Sequence, residues 1–449
     1  MSCCSRSRPG VYESGRRCRV LLCLAALGAG CSACSDPGPG ADASLDARAA
    51  DLLPVDLAPA DAPGPVLDGA VDAGDSGVPA CGGSRKLTPK PIPRGAGMAC
   101  GTACEQVTFG NSVSLAYEVA GNLLVYAGGP VAKISVYMVD LNADKEWQVQ
   151  STPPAYPGCG VVGTDGKRLT YSCPVWSGPS SVEVPLQVYD PSTQVEEDLY
   201  CYSPKFLKVD GKLRAMGRMP HPLGIGTDGL VATMALSTHA NGQSDVFLYA
   251  FSSKTLVNLT KTYGLVWGSH VSGKLVAYNE LVKQPSGGRQ VQVAIHDTTT
   301  KTHKRVDPNG KPQFSARIGG TRVVWVDHRN APGNMHNQGN SDIYMYDAVT
   351  GKTTAVTTHP AQQDWPDVSG DWVVWEDRRN NPDPTPAGSY SESDIFARNM
   401  NTGTTVQVSK LKGLELRPRV DNGSAFFAAG STATKATALF MVDLSKLAP

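Results

Sequence analysis

ARIGGTRVVWVDHRN at residues 316–330 and PDVSGDWVVWEDRRN at residues 366–380 are two copies of one pattern. Each continues into a second shared block, SDIYMYDAVTGKTTAVT at 341–357 and SDIFARNMNTGTTVQVS at 393–409. Short apolar runs are bounded by Gly, Asp and Asn, the residues that tight turns favour, so each copy reads as four short strands. In the second copy these are 366–369, 372–376, 394–399 and 404–409, joined by turns at Gly370-Asp371 and Asn401-Thr402-Gly403.

Weaker copies repeat the skeleton at a period of about 45 to 50 residues. They start at EVAGNLLVYAG (118–128), VVGTDGKRLTYSC (161–173), IGTDGLVATMAL (225–236), HVSGKLVAYNE (270–280) and RVDNGSAFFAAG (419–430). An additional hairpin-like piece, FLKVDGKLRAM, precedes the third. The fold expected is all-β: a single propeller of four-stranded blades, seven in number, with six or eight as alternatives. The last copy stops near residue 446 without its outer strand, and 105–109 reads as a strand with no partner of its own. An N-terminal strand that completes the last blade would remove an open edge.

The motif xPxVSGxxVVWxDxRN followed by SDIYxYDxxTGxxxxVT resembles the TolB-like family of propeller repeats, from about residue 104 to the C-terminus. The resemblance is strong in the fifth and sixth copies and faint in the first three. It implies a binding or scaffold module of the cell envelope.

The N-terminal part reads differently. Arg16, Arg17 and Arg19 precede an apolar run at 20–30, too short to cross a bilayer, and Gly28-Ala29-Gly30-Cys31 follows. This resembles a bacterial lipoprotein signal, with 1–30 removed and Cys31 lipidated; Ser32-Ala33-Cys34 offers Cys34 as the alternative anchor. Residues 31–83 are Asp-, Ala- and Pro-rich and read as a disordered acidic tether, because such composition buries too little apolar surface to offset its ordering entropy. Residues 84–103 form a Cys-containing lead-in and 104–449 the propeller. The chain is therefore expected to be exported, as an outer-membrane or cell-surface lipoprotein or one facing the periplasm, and to touch the membrane through its lipid alone.

In an oxidising compartment Cys81, Cys100, Cys104, Cys159, Cys173 and Cys201 can form disulfides. Cys159 and Cys173 flank one hairpin and are expected to pair, in a loop of about 15 residues that contributes roughly 3 kcal/mol. The other four leave three pairings open.

Lys plus Arg equals Asp plus Glu, 41 each, so no electrostatic footprint for nucleic acid exists. None of the eight histidines lies at zinc-ligand spacing, and no nucleophile elbow or phosphate loop occurs. No catalytic residue and no cofactor is therefore expected. Aligning the copies puts Glu118, His270, Arg317, Asp367 and Arg419 just before the first strand of their blades, at the mouth of the central channel, where they could hold a polar ligand. Tyr390, in a Pro- and Ser-rich loop, is a further contact candidate. Asp327, Arg329 and Asp342, matched by Asp377, Arg379 and Asp394, are expected to pair structurally and clamp each long loop to the third strand. Calcium is the one cation those carboxylates could hold, although no loop has the ligand spacing of a known cation motif.

The functional expectation is a monomeric binding or interaction module with an unidentified protein or glycan ligand. The alternatives are a carbohydrate-active enzyme at the channel, a polysaccharide lyase or glycosidase, and a protein-docking scaffold of the TolB type.

Overall fold

The structure, a computed structural model, describes residues 84–447 except 99, 101–102, 110–112, 130–133, 151–159, 174, 179–180, 203–204, 210–211, 217–220, 227–229, 237–243, 251–254, 261–265, 285–286, 309–310, 332–339, 382–391 and 433–434. Cys31, Cys34, Cys159 and Tyr390 lie outside the described residues.

Among the described residues, seven antiparallel sheets of at least four strands follow one another along the chain. The sixth shows the plan: Gln363–Ser369, Trp372–Asp377, Asp394–Asn399 and Thr405–Gln407 lie side by side in that order. The second strands are buried on both faces, which is why their sequences are continuous apolar runs rather than alternating ones. Leu123–Gly128 is buried at every position, and Val323, Val324, Trp325, Val373, Val374 and Trp375 are fully shielded from solvent.

The core is divided into wedges between consecutive sheets. Trp325 and Tyr344 pack with Leu275, Val293 and Ile295 between blades four and five, and Trp375 and Phe396 with Val324, Val326 and Ile343 between five and six. Another wedge joins the two ends of the series: Phe426, Ala428 and Leu439 of blade seven pack on Tyr117, Leu124 and Tyr126 of blade one.

The turn after the third strand of blades one, four, five and six has a local cause. Asp140, Asp297, Asp347 and Asn399 each accept, through one side-chain oxygen, the backbone N–H groups two and three residues on. Such a turn needs a left-handed residue one place later. The strong repeats supply Gly351 and Gly403, and the weak ones Asp144 and Lys301.

The expected completion of the last blade appears as strand pairing. Cys104–Gln106 runs antiparallel to Lys435–Asp443, with Cys104 opposite Val442, Glu105 opposite Met441 and Gln106 opposite Phe440. Val107 then donates its N–H to the Leu439 carbonyl at 2.9 Å. The lead-in has further structure: Lys90–Ile92 adds a fifth strand to the outer edge of blade one, and Ser84–Lys86 does the same for blade two. Two buried glutamates hold this segment from beneath. Glu146 accepts the Phe109 N–H at 2.7 Å, and Glu196 pairs with the Arg85 guanidinium. Cys100 is bonded to Cys104, which selects among the open disulfide pairings. Cys173 is disulfide-bonded, with a partner outside the described side chains. The piece at 206–216 forms a hairpin of its own, Lys205–Val209 with Lys212–Met216.

Candidate functional site

Every described blade has an irregularity in its innermost strand. The register slips between Trp267 and His270, Phe314 and Arg317, Asp364 and Asp367, and Leu416 and Arg419, and between Val113 and Tyr117 in blade one. In blades four to seven the bulge contains a left-handed residue, in turn Gly268, Ser315, Trp365 and Arg417. A bulge of this kind bends the strand and re-aims the side chains that follow. Two residues beyond each sit His270, Arg317, Asp367 and Arg419, and Glu118 holds the equivalent register in blade one, opposite Val125.

This corrects the position expected for the five residues. They lie inside the innermost strands rather than ahead of them. Arg317 is two residues from the first turn of its blade, while Gln313, at the strand's other end, pairs with Asp327 where the long loop begins. At about 3.3 Å per residue the cluster is thus nearer the short turns than the long loops.

Four of the side chains meet in direct contact, and Asp367 feels the charges of Arg317, Arg419 and Glu118. Glu118 receives two guanidiniums, each forked over both carboxylate oxygens: Arg317 Nη2 to Oε1 at 2.8 Å and Nη1 to Oε2 at 3.1 Å, and Arg419 Nε to Oε2 at 3.0 Å and Nη2 to Oε1 at 3.2 Å. Burial works against the Glu118 charge, but the two guanidiniums win and hold its carboxyl below the usual range. Arg317 Nη1 also lies 3.1 Å from His270 Nδ1. A guanidinium can only donate, so Nδ1 accepts and the imidazole carries its proton on Nε2. Burial, then repulsion from Arg317 and Arg419, depresses the His270 pKa well below its usual value, so the ring is neutral. Asp367 accepts the Val420 N–H at 3.0 Å. Its burial raises its pKa against the pull of the same two arginines. Tyr117 lies under the cluster, with the Arg419 guanidinium 5.4 Å from its ring centroid and its hydroxyl donating to the Arg417 and Phe426 carbonyls.

The second group of polar residues does structural work at the start of the long loops. Arg329 forks onto Asp327, Nε to Oδ1 at 2.9 Å and Nη2 to Oδ2 at 2.7 Å, while Trp325 Nε1 donates to Oδ2 at 2.8 Å. Arg379, Asp377 and Trp375 repeat this arrangement. The link to the third strand differs from the expected guanidinium clamp. Asn330 Nδ2 donates to Asp342 and Asn380 Nδ2 to Asp394, and the arginines reach that strand through ring faces, Arg329 3.7 Å from the Tyr344 centroid and Arg379 4.1 Å from that of Phe396. Each arginine spends Nε and one Nη2 hydrogen on the carboxylate two residues back, and Arg329 Nη2 also donates to Asp307 at 2.6 Å rather than to the third strand. Burial raises Asp342 to about 6 and also raises Asp394. Both Asp327 oxygens face Arg and Trp donors and Asp342 Oδ2 faces Asn330, while Asp342 Oδ1 is buried without a hydrogen-bond partner; no cluster of three or more His, Cys, Asp or Glu suited to a metal occurs among the described residues.

Likeness to solved structures completes the assignment of class. The β-propeller domain of the Trilobed protease from Pyrococcus furiosus matches with a TM-score of 0.50 at 11% identity, covering 74% of this chain and 96% of that one. An oligogalacturonate lyase in complex with manganese gives 0.49 at 14%, covering 82% and 99%. A putative TolB from Agrobacterium tumefaciens gives 0.39 at 16%, covering 64% and 91%. At such identities the likeness shows the fold alone: the chain is a β-propeller built of four-stranded blades. No protein-family model and no curated protein matches it.

Proposed function

We propose that the chain is an exported, lipid-anchored binding module that uses one face of a rigid propeller to hold a protein or glycan ligand. One observation carries this reading: Glu118 of blade one is gripped at both oxygens by arginines from blades five and seven. Polar groups fixed in advance on separate rigid elements lose little freedom when a ligand binds, which suits recognition. The same grip leaves Glu118 poorly placed as a proton carrier, since both oxygens are engaged and its affinity for a proton is lowered. Export and anchoring rest on the charged and apolar segments ahead of Cys31 and Cys34.

A second reading, glycan cleavage in the channel, draws on one contrast. Glu118 is pushed toward its charged form and Asp367 toward its neutral form, as in a base and acid pair. Arrays of glycans and peptides probed with the full chain separate the two. The binding reading expects a retained ligand whose affinity falls tenfold or more in Arg317→Ala, with no product formed. Loss of array ligand from its spot, abolished by Asp367→Asn, would replace it with the enzymatic reading. An array with no retained and no consumed ligand would reject both. Incorporation of labelled palmitate, lost in Cys31→Ser or in Cys34→Ser, tests the anchor separately.

A further inference from the structure

We propose that His296 and His303 of blade four form a binding site for a divalent ion of the zinc, copper or nickel kind, with Glu280 orienting the His303 ring. The site lies apart from the Glu118 constellation, and the inference is independent of the binding reading above.

The argument starts from register. In sequence the two histidines bracket HDTTTKTH, a spacing that matches no metal motif. The hairpin between Arg289–Asp297 and Thr302–Arg305 sets them directly opposite each other. Opposed residues of an antiparallel pair share a face of the sheet with Cβ atoms about 5 Å apart, a gap that two metal–nitrogen bonds of about 2.0 Å each can span. Asp297 locks the turn by accepting the Thr299 and Thr300 N–H groups, and Lys301 supplies its left-handed residue, so strand pairing alone holds the histidines together. His296 is only 7% exposed, yet neither of its ring nitrogens has a hydrogen-bond partner. A buried imidazole ordinarily spends at least one nitrogen on a neighbour. Burial first, and then His303 and Lys301, lower its pKa, which keeps the ring neutral with a lone pair to offer.

His303 supplies the accessible half of the pair. Its side chain is 39% exposed on the outermost strand of the blade, and its Nε2 lies 3.3 Å from Glu280 Oε2. Arg305 holds the other oxygen of that carboxylate in place. A carboxylate that accepts the Nε2–H leaves Nδ1 as the unprotonated nitrogen, and ligating histidines are commonly oriented by such a partner. The donor set then selects the ion. Two neutral imidazoles suit zinc, copper and nickel, whereas calcium and magnesium take oxygen ligands. Lys301, close enough to act on His296, further weakens the electrostatic draw on which those hard cations depend. Two protein ligands are fewer than a closed structural site uses, so water completes the coordination and the ion exchanges with solvent.

Calorimetric titration of the untagged full chain with zinc chloride tests this, after dialysis against a chelator and with free thiols blocked. Zinc is expected to bind, with an affinity lowered about tenfold or more in His303→Ala and in Glu280→Gln, and excess calcium or magnesium is expected to leave the titration unchanged. His303→Ala is the decisive variant because its position is exposed. Its thermal midpoint without metal is expected to match the wild type, while the rise that zinc gives the wild type disappears. The proposal is overturned if the chain takes up no zinc, if His303→Ala binds zinc as tightly as the wild type, or if calcium displaces the zinc. Equal affinity in Glu280→Gln would overturn the orienting role given to that carboxylate. None of these results bears on the glycan and peptide arrays, so the binding reading stands or falls separately.

Discussion

At Glu415 a buried carboxyl stands in the register that blades five and six give to Gln313 and Gln363. Gln313 uses its carbonyl oxygen to accept the Val293 N–H of the preceding blade, and Glu415 likewise accepts from the Ile395 N–H at 3.1 Å. Leu411 N–H and the Ser409 hydroxyl add donors. Burial, reinforced by the charge of Asp394, outweighs them and lifts the carboxyl to about 7. For an acid whose pKa is higher folded than unfolded, the neutral form favours folding: stability is full below the unfolded value and declines as pH rises through the folded one. Between about pH 4.5 and pH 7 the loss from this group amounts to about 3 kcal/mol. Urea midpoints at pH 5 and pH 8 are expected to converge in Glu415→Gln. An unchanged gap between the two would place the pH dependence elsewhere.

Among the elements, the innermost strand carries most of the consequence. Its approach to the next blade is close at Gly319, where an added Cβ would stand 2.0 Å from the Val368 carbonyl oxygen. Backbone cannot swing aside as a side chain can, so Gly319→Ala is expected to cost about 2 kcal/mol or more in chemical denaturation. Wild-type stability in that variant would show that blades five and six can slide apart. The four-strand plan was legible because turn formers punctuate it and because the second strands, covered on both sides, spell unbroken runs such as VVWVD and VVWED. That Glu118, His270, Arg317, Asp367 and Arg419 share a register was legible for the same reason. Their depth was not: Ser315, Trp365 and Arg417 have no preference for the left-handed region, so the bulges that start each strand earlier than its apolar pattern left no mark.

For the molecule as a whole, residues 84–109 behave as a lace. They pass along the outer edges of blades two, one and seven, against the order in which the blades are built. An uncovered outer strand is a template for pairing with another chain. A chain lacking residues 1–83 is expected to elute as the monomer in size exclusion with light scattering, because blades one and two keep their added strands and blade seven stays complete. One lacking residues 1–109 is expected to self-associate. Monomers in both cases would mean that the lace does not shield those edges.

The lace also imposes a schedule. Leu439 donates its N–H to the Thr108 hydroxyl across 331 residues of chain, so one strand must wait for another synthesised far later. Contacts that distant are slow to form and leave partly assembled chains exposed. A product of interrupted translation has nothing to offer Cys104–Gln106, whose hydrogen-bonding edge then stays open to proteases and chaperones. Only a chain translated through Lys435–Asp443 can fasten Cys104–Gln106.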